Sequence, residues 1–387
     1  MRPFSLLVKP ASADCNLACD YCFYLEKQGL YADTARHRMS QDTLETLIRS
    51  YMRTQQPVYA FGWQGGEPTL MGEQFFEDII TLQRRHAPQG STVSNGLQTN
   101  GTLLTDSFAK LLGRYDYLVG ISIDGPAEIH DRYRRTRSDR GSHAEVMRGY
   151  ELLRHHGVAF NVLTLVSQAN VHRPRETYRY LRELGVDYHQ YIPCVEFDEQ
   201  GRLLPYSITG EQWGSFLNEV FDEWAARDVG TVSVRHFDAV LTKLLDNAAS
   251  TCVMGKDCRK YFVVEYNGDV YPCDFFVDAD KRLGNVAEDD FLTLWRSPKY
   301  RAFGLQKKHW NPACAECPYL EFCAGDCLKH RFRGEEDPEQ LSVLCSGWHS
   351  FYRRNLEELR QVASAIRRAR AEGQQSFSYA RQGQPQR

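Results

Sequence analysis

The sequence predicts an α/β fold: a partial (β/α)6 barrel followed by a cysteine-rich C-terminal region. Three observations carry this reading. Between residues 4 and 195, six short β-rich runs alternate with helical stretches. Each of the first four runs ends in a segment of chemically distinctive residues, so four candidate site segments fall on one face of the sheet. Beyond the alternating part, eight of the twelve cysteines crowd between 252 and 345. Alternating strands and helices build a parallel sheet with right-handed crossovers. Six strands fall two short of a closed eight-fold barrel, and chemistry in such folds gathers at the carboxyl ends of the strands.

The predicted strands are 5–10, 59–65, 92–99, 117–124, 158–166 and 187–194. Helical spacing of apolar residues predicts helices at 40–52, 72–86, 106–115, 142–157 and 175–185, with Ser40 as an N-cap and Gly157 and Gly185 as stops. A helical bridge follows at 211–228, then a helix at 236–247. The segment 262–276 alternates around Asn267–Gly268, which predicts a hairpin with a type I′ turn. The last helix is expected at 350–372, and the Gln/Arg-rich residues beyond it are expected to be disordered. The expected organisation is a barrel with its bridging helix at 1–235, a cysteine-rich domain at 236–348, the C-terminal helix at 349–372 and a tail at 373–387.

A chain of 387 residues holds two or three domains and a sizeable core. With 42% hydrophobic and 25% charged residues, a globular enzyme is the default. A formal charge of −3 gives no reason to expect nucleic acid or an anionic membrane as partner. No run of apolar residues is long enough to span a bilayer, and the apolar patch at the start is too short for a signal-peptide core. A cytoplasmic protein is therefore expected.

In such a compartment metal ligation is a better prior for cysteine than disulfide formation. Cys194 stands alone and reads as a small buried hydrophobe. Cys15-x3-Cys19-x2-Cys22 follows the first strand. Three thiolates fit a zinc site with a distant fourth ligand, or a [4Fe–4S] cluster with one iron open to an outside ligand. The other eight, at 252, 258, 273, 314, 317, 323, 327 and 345, complete two four-thiolate sites, again for zinc or for iron–sulfur clusters.

The Cys15–Cys19–Cys22 loop, with Tyr21 before the last cysteine, resembles the radical S-adenosylmethionine (SAM) enzymes. In that family SAM chelates the open iron, and its reductive cleavage gives a 5′-deoxyadenosyl radical. "GGEP" (Gly65, Gly66, Glu67, Pro68) after the second strand is similar to the family's motif for the SAM amine. Two glycines admit close backbone approach, and carbonyls with a carboxylate suit an ammonium group. The resemblance further implies that Ser122 and Arg134 contact ribose and the SAM carboxylate, and that Val195 offers backbone near adenine.

The C-terminal cysteines resemble the SPASM extension of radical SAM enzymes that modify peptides, a TIM-like partial barrel joined to an auxiliary-cluster domain with a hairpin and short helices. The resemblance implies Cys252, Cys258, Cys273 and Cys327 on one cluster, and Cys314, Cys317, Cys323 and Cys345 on the other. Over residues 3 to 350, "SLLVKPASADCNLACDYCFY", "QGGEPTL", "NGLQTNGTL", "GISIDGPAEIHD" and "VYPCDFF" together resemble the anaerobic sulfatase-maturating enzymes.

That family oxidises a Cys or Ser of an unfolded sulfatase polypeptide to Cα-formylglycine without O2. It uses three [4Fe–4S] clusters, SAM and an electron donor such as flavodoxin or ferredoxin. By the same resemblance Asp274 is the base, and its neighbours Phe275 and Phe276 point to partial burial. Gln64 and Tyr24, beside the two motifs, are candidates to orient the substrate. The alternative within the same architecture is a maturase that crosslinks or otherwise modifies a small precursor peptide.

Overall fold

The computed structural model describes residues 2–32 and 34–372, and the tail expected at 373–387 lies outside them. The chain divides into two compact units, each assembled from separated stretches. The first comprises Met1–Ser122, Arg134–Phe160 and Cys258–Gly304; the second comprises Ile123–Tyr133, Asn161–Asp257 and Leu305–Arg387.

The strands of the first unit are β1 (Ser5–Lys9), β2 (Val58–Trp63), β3 (Thr92–Thr99), β4 (Leu118–Ser122), β8 (Tyr261–Glu265), β9 (Asp269–Tyr271) and β10 (Gly284–Asn285). Its sheet runs β10-β9-β8-β1-β2-β3-β4. Strands β1 to β4 pair in parallel, and β8 pairs in parallel with the other edge of β1, Lys9 opposite Glu265. The C-terminal hairpin is thus stitched onto the strand that leads into the three-cysteine loop. Flanked on both sides, β1 buries Leu6 and Val8 completely enough to be a core strand.

The helix Gln41–Met52 shows why the crossovers form. Ser40 Oγ accepts from Thr43 N at 3.1 Å, and Leu44, Leu47, Ile48 and Tyr51 repeat on one buried face. Tyr51 meets Phe61 of β2 edge-to-face with centroids 5.1 Å apart.

The second unit holds β5 (Phe160–Val166), β6 (Tyr188–Pro193) and β7 (Ser233–Val234), all parallel. The six strands expected over 4–195 are all present, with ends shifted by at most two residues. In this unit the helix Gly210–Arg227 packs against Cys345–Ala371 through glycine: a Cβ on Gly347 would lie 2.2 Å from Gly210 O. That contact explains why the last helix starts at Cys345 rather than at 350. Gly347 discourages helix by propensity, but only glycine allows this approach.

The hairpin turn also differs from expectation. Gly268 has φ +88°, while Asn267 is not in the left-handed region. Gly268 N donates to Glu265 O at 2.9 Å, so the turn closes one residue earlier, with Gly268 as the left-handed residue of a three-residue loop. Among the described residues, no helix is long and apolar enough to cross a membrane.

Candidate active site

The loop after β1 carries Cys15, Cys19 and Cys22, all free thiols. It is shaped by backbone turns, Cys22 N to Cys19 O at 3.0 Å and Leu25 N to Cys22 O at 3.0 Å. Asn100 Nδ2 donates to Cys15 Sγ at 3.7 Å, and Arg137 Nε donates to Cys15 O at 3.1 Å. Burial pushes the Cys15 thiol up to about 12, with the Glu67 charge adding to it. Burial raises Cys22 as well, against the pull of Arg134. Thiols in such surroundings ionise when a cation binds them. Three converging sulfurs suit a soft iron–sulfur group and leave one coordination position to an outside ligand.

The GGEP turn is locked to this loop by contacts that demand its glycines. Gly66 N donates to Ser12 O at 2.8 Å and Glu67 N to Asp14 O at 2.7 Å. A Cβ on Gly66 would lie 2.0 Å from Asp14 O, and Gly65 sits at φ +120°. Glu67 is fully buried, and its carboxylate is already engaged. Oε1 accepts from Thr69 N, Thr69 Oγ1 and Thr99 Oγ1, and Oε2 accepts from Asn100 N. Its side chain therefore braces β2 against β3, which leaves the Gly65 and Gly66 backbone as the part of the motif suited to meet an ammonium group.

Asp274, at the end of the hairpin, faces the cysteine loop. Its Oδ2 accepts from Tyr24 Oη at 2.5 Å and from Gln64 Nε2 at 2.9 Å. Its Oδ1 meets Lys9 Nζ at 2.7 Å. Phe23 packs on Phe275 with centroids 5.1 Å apart, fastening the loop to the hairpin end. Asp274 is buried at 7% exposure. The three residues read from the sequence as base and substrate neighbours, Asp274, Gln64 and Tyr24, thus form one hydrogen-bonded cluster.

Sequence reasoning missed two members of this cluster, Lys9 and Glu265. They are register partners at the ends of β1 and β8, exposed only 1% and 3%, with Lys9 Nζ 3.5 Å from Glu265 Oε1. Burial disfavours the ammonium, yet the attraction of Asp274 and Glu265 together holds Lys9 above the usual lysine range. Burial raises the Glu265 carboxyl. Tyr24 is held well above the phenol range by burial and the Asp274 charge, so it stays a donor. The signal available was a pair of opposite charges closing two otherwise apolar strands.

Arg134 stacks over the Tyr21 ring at 5.6 Å, next to Cys22. Ser122 ends β4 in the same unit and is buried. Val195 belongs to the second unit, just past β6, and is 1% exposed.

Of the later cysteines, Cys258 and Cys273 belong to the first unit, and Cys252 and Cys327 to the second. Tyr261 Oη lies 3.3 Å from Cys273 Sγ, and burial pushes that thiol up to about 12. Cys314, Cys317, Cys323 and Cys345 line a single cavity of about 310 Å³ in the second unit, walled by Tyr319, Trp348, His349 and Tyr352. Burial raises Cys345 to about 11, and Cys314 and Cys317 raise it further. Four thiols lining one cavity fit a fully protein-ligated cluster. Cys194 is buried at 2% exposure.

Two family models match the chain, one over each cysteine region. The family model described as "Radical SAM superfamily" matches residues 10–187, and the "Iron-sulfur cluster-binding domain" model matches residues 252–318. The serine-type anaerobic sulfatase-maturating enzyme of Bacteroides thetaiotaomicron is 38% identical over 369 residues, covering 91% of this chain and 89% of the relative. The cysteine-type enzyme of Clostridium perfringens is 34% identical over 371 residues, covering 95% of this chain and 100% of the relative. A solved structure of anSMEcpe with bound AdoMet and the Cp18Cys peptide matches at TM-score 0.88 and 34% identity, covering 94% of this chain and 100% of that one. The chain belongs to the family of anaerobic sulfatase-maturating enzymes, within the radical SAM superfamily.

Proposed function

We propose that this protein oxidises a specific Cys or Ser in a sulfatase polypeptide to Cα-formylglycine, without O2. The observation that carries the reading is the Asp274 carboxylate, clamped by Tyr24, Gln64 and Lys9 in the same unit as the three-thiolate loop and the GGEP turn. A [4Fe–4S] cluster with SAM on its open iron supplies, when bound, the 5′-deoxyadenosyl radical that takes a hydrogen atom from the substrate Cβ.

This chain's residues do the rest. Cys15, Cys19 and Cys22 hold that cluster. Tyr21, Gly65, Gly66, Ser122 and Arg134 meet SAM, with Glu67 bracing the turn and the Val195 backbone serving adenine. Asp274, its Oδ2 held by two donors and its Oδ1 beside Lys9 Nζ, receives the substrate thiol or hydroxyl proton. Gln64 and Tyr24 fix the carboxylate's orientation and border the substrate.

One hydrogen atom and one proton leave the substrate, and one electron remains. Two further clusters, which Cys252, Cys258, Cys273 and Cys327 and Cys314, Cys317, Cys323 and Cys345 would hold, would offer it an exit. A serine then ends as the aldehyde. A cysteine ends as a thioaldehyde, which water converts to the aldehyde with loss of its sulfur. Flavodoxin or ferredoxin fits as the reductant, in the cytoplasm, with no role for nucleic acid.

The test incubates the reconstituted protein under argon with SAM, a reductant and a Cys-x-Pro-x-Arg peptide. Mass spectrometry is expected to show the Ser version losing two hydrogens, and the Cys version losing two hydrogens and exchanging sulfur for oxygen. Asp274→Asn is expected to keep SAM cleavage and lose most of the formylglycine. Near-normal yield from that variant would remove Asp274 from the base role.

A further inference from the structure

Two cations in the second unit have no part in the chemistry above. Lys307 and Arg331 are 2% and 1% exposed. Lys307 Nζ donates to Val253 O at 3.1 Å, to Ala324 O at 3.4 Å and to Asp326 O. Arg331 donates to the carbonyls of Gly325, Lys307, Ala324, Asp326, Pro338 and His309. Every acceptor is a backbone carbonyl, and neither cation forms an ion pair among the described residues. Burying a lysine and an arginine so close together is costly, and carbonyl dipoles offset that cost only in part.

The placement of these carbonyls is specific. Val253, Ala324 and Asp326 each adjoin a cysteine in sequence: Cys252, Cys323 and Cys327. Gly325, against which Arg331 Nη2 lies so closely that a Cβ would come within 2.5 Å, is part of the wall of the Cys314–Cys317–Cys323–Cys345 cavity. Asp326, fully buried in the same loop, is a nearby carboxylate, and it is engaged by His330 Nδ1 at 2.8 Å and by Ser342 Oγ at 2.6 Å.

We propose that Lys307 and Arg331 are the fixed counter-charges of the closed four-thiolate site and set its reduction potential. This rests on the reading that Cys314, Cys317, Cys323 and Cys345 hold a [4Fe–4S] cluster. Such a cluster with four thiolates is a dianion when oxidised and a trianion when reduced. Positive charge fixed nearby in a low-dielectric interior stabilises the trianion more, so it raises the potential. That is the direction needed if this site is to accept the electron left on the substrate. Asp326 offsets only one of the two cations, and the thiolates with the cluster they hold would supply the remaining negative charge.

The test is a potentiometric EPR titration of the full chain carrying Cys15→Ala, Cys19→Ala and Cys22→Ala, which removes the SAM-cleaving cluster and leaves the auxiliary signals. In this background Lys307→Gln and Arg331→Gln are each expected to move one auxiliary wave to more negative potential, and the pair to move it further. Lys307→Arg and Arg331→Lys keep the charge while altering the hydrogen bonds, and are expected to leave the wave in place. Asp326→Asn removes a negative charge and is expected to move it upward.

A cluster-bearing Lys307→Gln protein with an unmoved wave would overturn the proposal. So would an Arg331→Lys shift as large as that of Arg331→Gln, since hydrogen bonding rather than charge would then be responsible. The ligand reading has its own control: Cys345→Ala should abolish the wave that Lys307→Gln moves. If both auxiliary signals survive Cys345→Ala, the ligand assignment fails instead.

Discussion

The three-thiolate loop of the first unit and the four-thiolate cavity of the second use the same side chain on opposite plans. Around Cys15, Cys19 and Cys22 the neighbours are polar and come from the ends of several strands: Asn100 after β3, the GGEP turn after β2, and Lys9 closing β1. Around Cys314, Cys317, Cys323 and Cys345 the wall is aromatic, with Tyr319, Trp348 and Tyr352, and the nearby charges are buried cations on backbone carbonyls. The first plan leaves a ligand position and surrounds it with groups that can orient a substrate. The second closes the metal off and adjusts only its charge. Ligand count alone separates a reactive centre from a carrier, and the surroundings follow from that difference.

The largest expected effect breaks the two sites separately. Cys19→Ala should reduce SAM cleavage to background, because no open iron remains to hold SAM. Cys345→Ala should leave reductive SAM cleavage measurable while formylglycine falls to near background, because a cluster that would carry the substrate's electron away loses a ligand. Chromatography of 5′-deoxyadenosine beside mass spectrometry of the peptide reads both. Equal loss of SAM cleavage in the two variants would end the distinction drawn here.

A smaller effect tests the polar side of the comparison. Lys9 sits between two buried carboxylates, Asp274 and Glu265. Lys9→Met leaves them facing each other without a cation, a loss that costs about 3–5 kcal/mol for a buried pair. Formylglycine turnover is expected to fall roughly 100-fold, the usual scale for disturbing a general base. The ratio of 5′-deoxyadenosine to formylglycine should rise, since SAM cleavage does not need Asp274. Lys9→Met with Glu265→Gln removes one of the stranded charges and should recover part of the coupling. If the ratio stays unchanged in Lys9→Met, Lys9 has no part in positioning the base.

The sequence made the first plan more legible than the second. Strands β1 to β6 were readable from alternation, and the cysteine loop and GGEP could be placed because each follows a strand end, whereas Asp274 was legible only through the family resemblance of the segment around Cys273. The Lys9–Glu265 pair was hidden because the parallel pairing of β1 with β8 joins segments some 250 residues apart, and no local pattern specifies it. The type I′ reading of Asn267–Gly268 failed for a related reason. A composition cue names the residues of a turn, whereas the hydrogen bond from Gly268 N to Glu265 O decides which of them must be left-handed. Likewise Gly210, Gly214 and Gly347 weaken helix by propensity, and their place is intelligible only from the contact between the two helices they belong to.

The smallest expected effect concerns the scaffold of the closed site. The helix Gly210–Arg227, on which the cysteine-bearing helix Cys345–Ala371 packs, is tied to the helix Pro174–Glu183 through Glu223. Arg179 Nε and Nη2 donate to its two oxygens at 2.9 and 2.7 Å. The Arg179 hydrogen bonds hold Glu223 below the usual carboxylate range, with Arg227 and Arg175 adding to the pull. A depressed carboxyl contributes stability above its unfolded pKa and loses it as pH falls through the folded value. Arg179→Ala should therefore weaken this helix pair near neutrality and make no difference in acid below the ordinary glutamate range. The arginine is half exposed and screened by salt, so the loss is small. Hydrogen exchange of the two helices, corrected for intrinsic rates, reads the effect locally, where global unfolding of a two-unit chain would blur it. A difference that grew toward acid would reverse the sign argued for Glu223, whereas the expected convergence would show that the scaffold of the closed site is held in part by charge at its rim.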